Sequence, residues 1–135
     1  MSEQLLTHGL LAFLSHIVAA LVLLAVFTVV YIRITPYREI ELIRAGNCAA
    51  AASLAGAILG YCTALASAIA NSVSLVDMCF WGVIALVIQL LAFAVARLLL
   101  PGIVSDIPDN KIASGIFLGA LSLGFGMLNA ACMTY

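Results

Sequence analysis

Four long apolar segments, separated by short polar connections, set the pattern of this chain. They cover residues 9–32, 47–71, 77–99 and 110–133. Each is long enough to cross the ~30 Å hydrocarbon core of a bilayer, which takes about 20 residues of helix. The sequence therefore predicts an all-α membrane protein in which residues 1–135 form a single domain of four transmembrane helices.

The second segment, Asn47 to Asn71, carries no charge and few large side chains. Small residues recur every four positions along it: Ala52, Gly56, Gly60, Ala64 and Ala68. A weaker version in the fourth segment includes Gly115, Gly119 and Gly126. Because small residues let helices approach closely in lipid, we expect the second and fourth helices to be central. The first and third, rich in large apolar residues, are expected to lie outside them.

The second half of the chain resembles the first. A shift of 63 residues lays Asn47 on Asn110 and Gly56 on Gly119. This match predicts two tandem hairpins, about residues 1–72 and 73–135, in parallel orientation around an axis along the membrane normal. We expect Asn47 and Asn110 to cap the helices that follow them. Chance similarity between two helices rich in Ala and Gly is the alternative.

The first connection predicts a short helix at the membrane interface. Thr35–Pro36 suits its N-cap and first position, and Gly46 suits its end. An apolar residue recurs every third position: Tyr37, Ile40 and Ile43. This spacing favours an interfacial helix whose charged residues, Glu39 among them, point elsewhere. An ordinary solvated connector is the alternative.

Composition agrees with a membrane protein. Hydrophobic residues make up 66% of the chain and charged residues only 8%, whereas a soluble domain is about one quarter charged. Five cations are too few for a nucleic-acid surface. No Lys or Arg precedes Gly9, so the first segment predicts a retained transmembrane helix rather than a signal peptide.

Charge predicts the orientation in the membrane. The five cations all lie in or beside the first and third connections: Arg33, Arg38, Arg44, Arg97 and Lys111. The positive-inside rule therefore places these connections in the cytoplasm and both termini outside. We expect the same cations to anchor the chain at the lipid headgroups, together with Trp81 and Tyr135.

Polar side chains inside the predicted membrane are few. Those expected near the outer side form what we call the outward group: His16, Ser67, Asn71, Asp77 and Asn129. Gln89 is expected near the midplane, as a helix–helix hydrogen bond or as a pore lining in an oligomer. The sequence also allows two interpretations of the outward group. Its side chains form structural hydrogen bonds, or they form a ligand or ion site.

Motifs for catalysis and metal binding are missing from the sequence. There is no GxSxG, no HExxH and no CxxC among the four cysteines, which argues against serine hydrolase, metalloprotease and zinc or redox sites. We predict no catalytic residues, no metal, no cofactor and no enzyme activity. Whether Cys79 and Cys132 pair is not decided by the sequence.

Several stretches, taken together, resemble a known family. They are Ile34–Pro36, Ala50–Tyr61, Ser67–Ser74, Trp81–Pro101 and Leu128–Tyr135. In this order they resemble the YjfL-type family of small bacterial inner-membrane proteins, over nearly the whole chain. The resemblance implies a four-helix protein of the bacterial inner membrane with an internal repeat. It implies no established activity and transfers no catalytic residues.

Two functions stand as hypotheses. The first is an oligomeric membrane scaffold or accessory subunit, because small-residue stripes exceed what one small bundle needs. The second is a channel or solute/ion permeation component formed by an oligomer, because Gln89 and the outward group are polar. The expected partners are membrane lipids, further copies of the chain and an unidentified membrane or cytoplasmic protein, but no nucleic acid.

Overall fold

The computed structural model of this chain describes residues 1–133 as an all-helical bundle. Four helices are long and apolar enough to cross a membrane: α1 (Ser2–Ile34), α3 (Cys48–Asn71), α4 (Leu75–Leu99) and α6 (Ile112–Cys132). Two short helices, α2 (Glu39–Arg44) and α5 (Ile103–Asp106), lie in the connections after α1 and α4. The predicted all-α membrane fold with four transmembrane helices is confirmed. Tyr135, expected as an interface anchor, lies outside the described residues.

The helix bounds follow the apolar segments closely. They differ from the expected spans by at most two residues, except that α1 begins at Ser2 rather than near Gly9. With 33 residues, α1 is about 50 Å long at 1.5 Å per residue. Few of its side chains are covered by the other helices, so most of its surface is available to lipid.

Helices α3 and α6 make the closest and most extensive contact in the bundle. A Cβ atom built on Gly56 would overlap the backbone of Gly119, and one on Gly126 would overlap the backbone of Gly60. Contacting positions advance together along both helices, so α3 and α6 are parallel. Backbone-to-backbone approach of this kind requires glycine, because any side chain would hold the two helices apart.

The remaining small residues line the same contact. Ala52 lies against Gly119, and Gly115 lies against Ala49, while Ala64 and Ala68 are buried. Gly56 and Gly119 are 63 positions apart and touch each other, as equivalent residues do beside a two-fold axis. The internal repeat itself stays a prediction.

Helices α1 and α4 pack around this pair through aromatic side chains. The ring of Phe27 in α1 stacks on that of Tyr61 in α3, with centroids 4.3 Å apart. Tyr31 meets Phe93 of α4 edge-on at 6.1 Å, and the Tyr61 hydroxyl donates to the Gly82 carbonyl at 3.1 Å. These contacts fix α1 and α4 to α3 at the level of its middle turns.

The end of α2 is as the sequence predicts. Gly46 has a φ of +88°, which only glycine adopts readily. Its N–H donates to Ile43 at 3.0 Å, and the N–H of Asn47 donates to Leu42 at 2.9 Å. This pair of bonds is the Schellman motif, so Gly46 stops α2 and turns the chain directly into α3.

The predicted start of α2 is wrong. Thr35 does not cap it: its N–H donates to Tyr31 at 3.0 Å and its hydroxyl donates to Ile32 at 3.0 Å, which closes α1 instead. Pro36 belongs to the segment between the helices, and α2 begins only at Glu39.

The predicted apolar face of α2 is also wrong. Because Tyr37 precedes the helix, its spacing to Ile40 and Ile43 does not describe one face. Ile40 is 40% exposed, whereas Glu39, expected to point elsewhere, is fully buried. Glu39, Leu42 and Ile43 are i, i+3 and i+4 of a helix and therefore share the side that packs on the bundle.

Two asparagines join the beginnings of α3 and α6. Asn47 caps α3 as predicted: its Oδ1 accepts from Ala50 N–H at 2.8 Å, and its Nδ2 donates to Ile107 at 2.8 Å. Asn110 does not cap α6. It has a φ of 57°, lies one residue too early, and its Oδ1 accepts from Ala49 N–H of α3 at 3.1 Å. These cross-connections place α2 and α5 at the same end of the bundle, which we call the α2 end.

Gly126→Ala is expected to lower the melting temperature of the protein in mild detergent. The added Cβ would overlap the Gly60 backbone, and overpacking of this kind costs ~1–3 kcal/mol. Gly124→Ala, on the same helix, is the matched control, because a Cβ there meets nothing within 4 Å. Its melting temperature should hold or rise. An equal loss in both variants would contradict the close contact of α3 with α6.

Asn47→Ser and Asn47→Ala should separate the cap bond of Asn47 from the bonds that its Nδ2 donates to Ile107 and Pro108. Serine keeps a cap acceptor but has no nitrogen to donate to Ile107, so the buried bond between the connections, worth ~1 kcal/mol, is lost. Alanine loses the cap as well, which costs about 1 kcal/mol more. Melting temperatures should fall in the order wild type, Ser, Ala. A serine variant as stable as wild type would show that the bond to Ile107 contributes nothing.

Candidate functional site

Six buried polar atoms between α2 and the middle of the bundle have no hydrogen-bond partner within the described part of the chain. They are both carboxylate oxygens of Glu39, the hydroxyls of Tyr31, Tyr37 and Ser122, and Oε1 of Gln89. We call these five residues the buried polar cluster. Since roughly 90% or more of buried polar atoms in proteins are hydrogen-bonded, this concentration marks a candidate site.

The cluster is assembled from five parts of the fold. Tyr31 comes from the last turns of α1, Tyr37 from the segment after it, and Glu39 from the first position of α2. Gln89 and Ser122 come from the middle of α4 and α6. All five are buried, with Glu39, Tyr31, Gln89 and Ser122 inaccessible to solvent.

The members of the cluster are neighbours of one another. The Tyr31 hydroxyl lies beside Ser122, and the charge of Glu39 acts on both Tyr31 and Tyr37. Tyr37 also lies beside Ser53 of α3. None of the unpartnered atoms has hydrogen-bond geometry to another. The cluster is therefore continuous from Glu39 through Tyr31 to Ser122.

Gln89 joins the inner end of the cluster to α6. Its Nε2 donates to the Ser122 carbonyl at 3.0 Å, while its Oε1 has no partner among the described residues. The approach depends on Gly60: a Cβ there would lie 2.7 Å from Gln89 Nε2 and would overlap the Ser122 carbonyl. The small-residue contact of α3 with α6 thus makes the space that the amide occupies.

Glu39 is a buried acid without a counter-charge. Its neighbour Arg38 bonds instead to Glu41, 3.2 Å away on the surface of the same short helix. Burial raises the pKa of Glu39 from 4.5 to about 7, partly opposed by the Thr35 hydroxyl. Burial, followed by the charge of Glu39, also raises the pKa of Tyr37. Near neutral pH the carboxyl group can therefore both hold and release a proton.

An open cleft of about 340 Å³ borders the α2 end of the cluster. Its walls are Ile32 and residues 35–41, including Tyr37 and Glu39. The cleft brings solvent next to the segment that carries the buried carboxyl group. Within residues 1–133 no three His, Cys, Asp or Glu side chains form a group able to hold a metal ion.

Part of the outward group lies at the far end of the α3–α6 contact. The Ser67 hydroxyl donates to the Ala130 carbonyl at 2.8 Å, and Asn71 Nδ2 donates to the Ser67 carbonyl at 2.9 Å. Asn129 precedes Ala130, and its buried Nδ2 has no partner in the described structure. Ser67 and Asn71 thus act in hydrogen bonds within and between helices, and Asn129 is left unpaired.

The other two members of the outward group bond within their own segments. His16 Nδ1 lies 2.7 Å from the Ala12 carbonyl one turn earlier in α1. Asp77 accepts from the Val73 N–H at 3.2 Å, while its own N–H donates to Ser74, which caps the start of α4. A ligand site formed by the whole outward group stays a prediction.

The predicted anchors and cysteines are placed as follows. The cations all lie at or near the α2 end: Arg33, Arg38, Arg44, Arg97 and Lys111. Lys111 pairs with Asp106 at 3.3 Å, and the pKa of Asp106 is lowered by a hydrogen bond from Ser114 and by Lys111.

Trp81 is half-buried and packs against the core. Cys79 and Cys132 are free thiols.

Glu39, Tyr31 and Tyr37 were not predicted from the sequence as a site. One local signal was present: Glu39, Leu42 and Ile43 have helical spacing, so a helix that starts at Glu39 buries it with its apolar neighbours. Nothing local indicates Ser122, because its contact with Tyr31 depends on how α1 packs against α6.

Comparison with known proteins gives a consistent family. A family described as Domain of Unknown Function (DUF350) matches residues 4–133. The UPF0719 inner membrane protein YjfL of Escherichia coli K12 is 43% identical over 127 residues, which cover 94% of this chain and 96% of the relative. The UPF0719 transmembrane protein YshE of Bacillus subtilis is 31% identical over 114 residues, 83% of this chain and 85% of the relative. No solved structure matches the chain.

The stability of the wild-type protein should depend on the protonation of Glu39. Its folded pKa of about 7 lies above the ordinary value of 4.5, so the protonated form favours the fold. This contribution is complete below the ordinary pKa and is lost as the pH rises through about 7. Melting temperatures in detergent should therefore fall from about pH 4.5 to about pH 7 and level off above about pH 8.

Glu39→Gln, which copies the neutral acid, should be less sensitive to pH over this range and more stable than wild type at the alkaline end. Glu41→Gln is the matched control, since Glu41 lies on the same helix but is exposed. A variant at Glu39 that keeps the full pH dependence of wild type would disprove the assignment.

Proposed function

The chain belongs to the DUF350 family. We propose that it is an inner-membrane protein that serves as a permeation component for a small ion. The inner-membrane location is supported by the name of the Escherichia coli relative and by the four apolar helices. The cations at the α2 end support an orientation with that end in the cytoplasm and both termini outside.

The observation that carries the permeation role is the buried polar cluster. Each unpaired buried polar group costs ~1–3 kcal/mol, and the cluster contains six such atoms in one continuous set. Side chains retained only to join helices would be paired, as the Ser67 hydroxyl is with the Ala130 carbonyl of α6. Unpaired oxygens at successive depths instead offer acceptors to an ion or to the water that accompanies it.

The cluster extends from the aqueous side towards the membrane centre. It begins at Glu39 beside the open cleft and passes Tyr31 to Ser122 and Gln89 in the middle of their helices. Beyond them the backbones of Gly60 and Gly126 meet, and the unpaired amide of Asn129 lies further along α6. All groups of the buried polar cluster come from a single chain.

The scaffold hypothesis receives less support from the structure. It was motivated by small-residue stripes in excess of what one bundle needs. The glycines of these stripes are used within one chain, where they bring α3 against α6. Self-association and a protein partner remain predictions without a contact that favours them.

Ser122→Ala should lower ion flux without lowering the melting temperature. It removes an unpaired buried hydroxyl, so the melting temperature should hold or rise. In proteoliposomes the same variant should reduce ion flux several-fold, because one oxygen of the continuous cluster is lost. Flux can be followed with an entrapped pH dye and, in parallel, with alkali-cation and chloride gradients.

Thr63→Val is the control for this experiment. Thr63 lies in α3, and its hydroxyl donates to its own helix, to Leu59 at 2.7 Å. The variant should conduct like wild type. Wild-type vesicles that conduct no tested ion better than protein-free vesicles would refute the permeation role. Equal flux in wild type and Ser122→Ala would remove the cluster from the path.

A further inference from the structure

Glu39 is the only group of the buried polar cluster that carries a formal charge near neutral pH. The titratable groups that face it are Tyr31 from α1 and Tyr37 from the adjoining segment, and neither supplies a positive charge. From α6 the cluster receives the Ser122 hydroxyl, and from α3 the Ser53 hydroxyl beside Tyr37. Arg38 is turned to the surface with Glu41. An ionised Glu39 would thus be a buried charge without a partner, which proteins avoid by neutralising it.

The neighbours of Glu39 suit a proton better than a metal cation. A metal ion needs several strong oxygen donors, and one carboxylate among neutral hydroxyls supplies a single anionic ligand. A proton neutralises the carboxylate completely. It also converts a group that only accepts hydrogen bonds into one that donates, and the Tyr31 and Tyr37 hydroxyls beside it can accept.

We propose that the ion handled by the cluster is the proton, and that the Glu39 carboxyl group is its binding site. This inference rests on the permeation role proposed above. A proton from water in the adjoining cleft forms an O–H bond on the Glu39 carboxylate, and the reverse step returns it. The hydroxyls of Tyr31 and Ser122 each donate and accept, as groups that pass protons inward must.

The pKa of Glu39, which burial raises to about 7, agrees with reversible binding of this kind. At neutral pH both protonation states are populated. Glu41, on the same short helix, is exposed and ion-paired with Arg38.

Infrared spectroscopy of the protein in lipid tests the binding step directly. Wild type should show the C=O band of a protonated carboxyl group, which disappears as the pH is raised through about 7. Glu41→Gln should keep this band and Glu39→Gln should lack it. Tyr31→Phe, which keeps the ring and its packing, should shift the band because the acid loses a polar neighbour. A wild-type protein without the band, or a band unchanged in Glu39→Gln, overturns the proposal.

Flux measurements on the same proteins separate this inference from the proposed function. Proton flux in proteoliposomes should be lost in Glu39→Gln and kept in Glu41→Gln. If Glu39→Gln instead abolishes an alkali-cation flux and leaves proton flux intact, the proton assignment is overturned. If no ion is conducted while the infrared band titrates as expected, the permeation role fails and the proton-binding site stands.

Discussion

The backbone contact of α3 with α6 is the constraint on which the rest of this bundle depends. At Gly56 with Gly119, and at Gly60 with Gly126, there is no room for a single side-chain carbon between the two helices. Lipid offers no hydrophobic drive for helices to associate, so close van der Waals packing has to supply it. Since the two helices are parallel, the chain must return across the membrane between them, and α4 makes that crossing.

The same contact creates the polar interior. Where Gly60 has no side chain, Gln89 reaches the Ser122 carbonyl through a space that an alanine would fill. At the α2 end, Asn47 and Asn110 tie the start of α3 to the connection before α6. The Schellman turn at Gly46 then holds α2 directly against this junction, and Glu39 is buried as a consequence. The acid is buried by tertiary structure and not by its own sequence neighbourhood.

This difference between local sequence and tertiary structure explains which features the sequence could predict. Long apolar segments predict the membrane spans because lipid requires apolar side chains along the whole segment. Small residues at four-residue spacing predict a smooth helix face because this pattern, too, repeats along the whole helix. A six-residue helix such as α2 is too short for its apolar spacing to fix where it begins. Placing the N-cap at Thr35, three residues before the observed N-cap Arg38, put Glu39 on the wrong face. Asn110 was misassigned because its partner, Ala49, is distant in the sequence.

In a membrane protein, polarity alone does not distinguish polar side chains with a functional role from those that only join helices. Whether their polar atoms are hydrogen-bonded does distinguish them. Ser67, Asn71 and Asp77 are all polar, and each is paired with a backbone or side-chain group nearby. Glu39, Tyr31 and Ser122 are equally polar, and their side-chain oxygens are unpaired. A fold selected only for stability would replace such groups with apolar ones of the same shape, which costs little. That they occur together, beside an open cleft, is the physical reason to assign the proposed function to them rather than to the outward group.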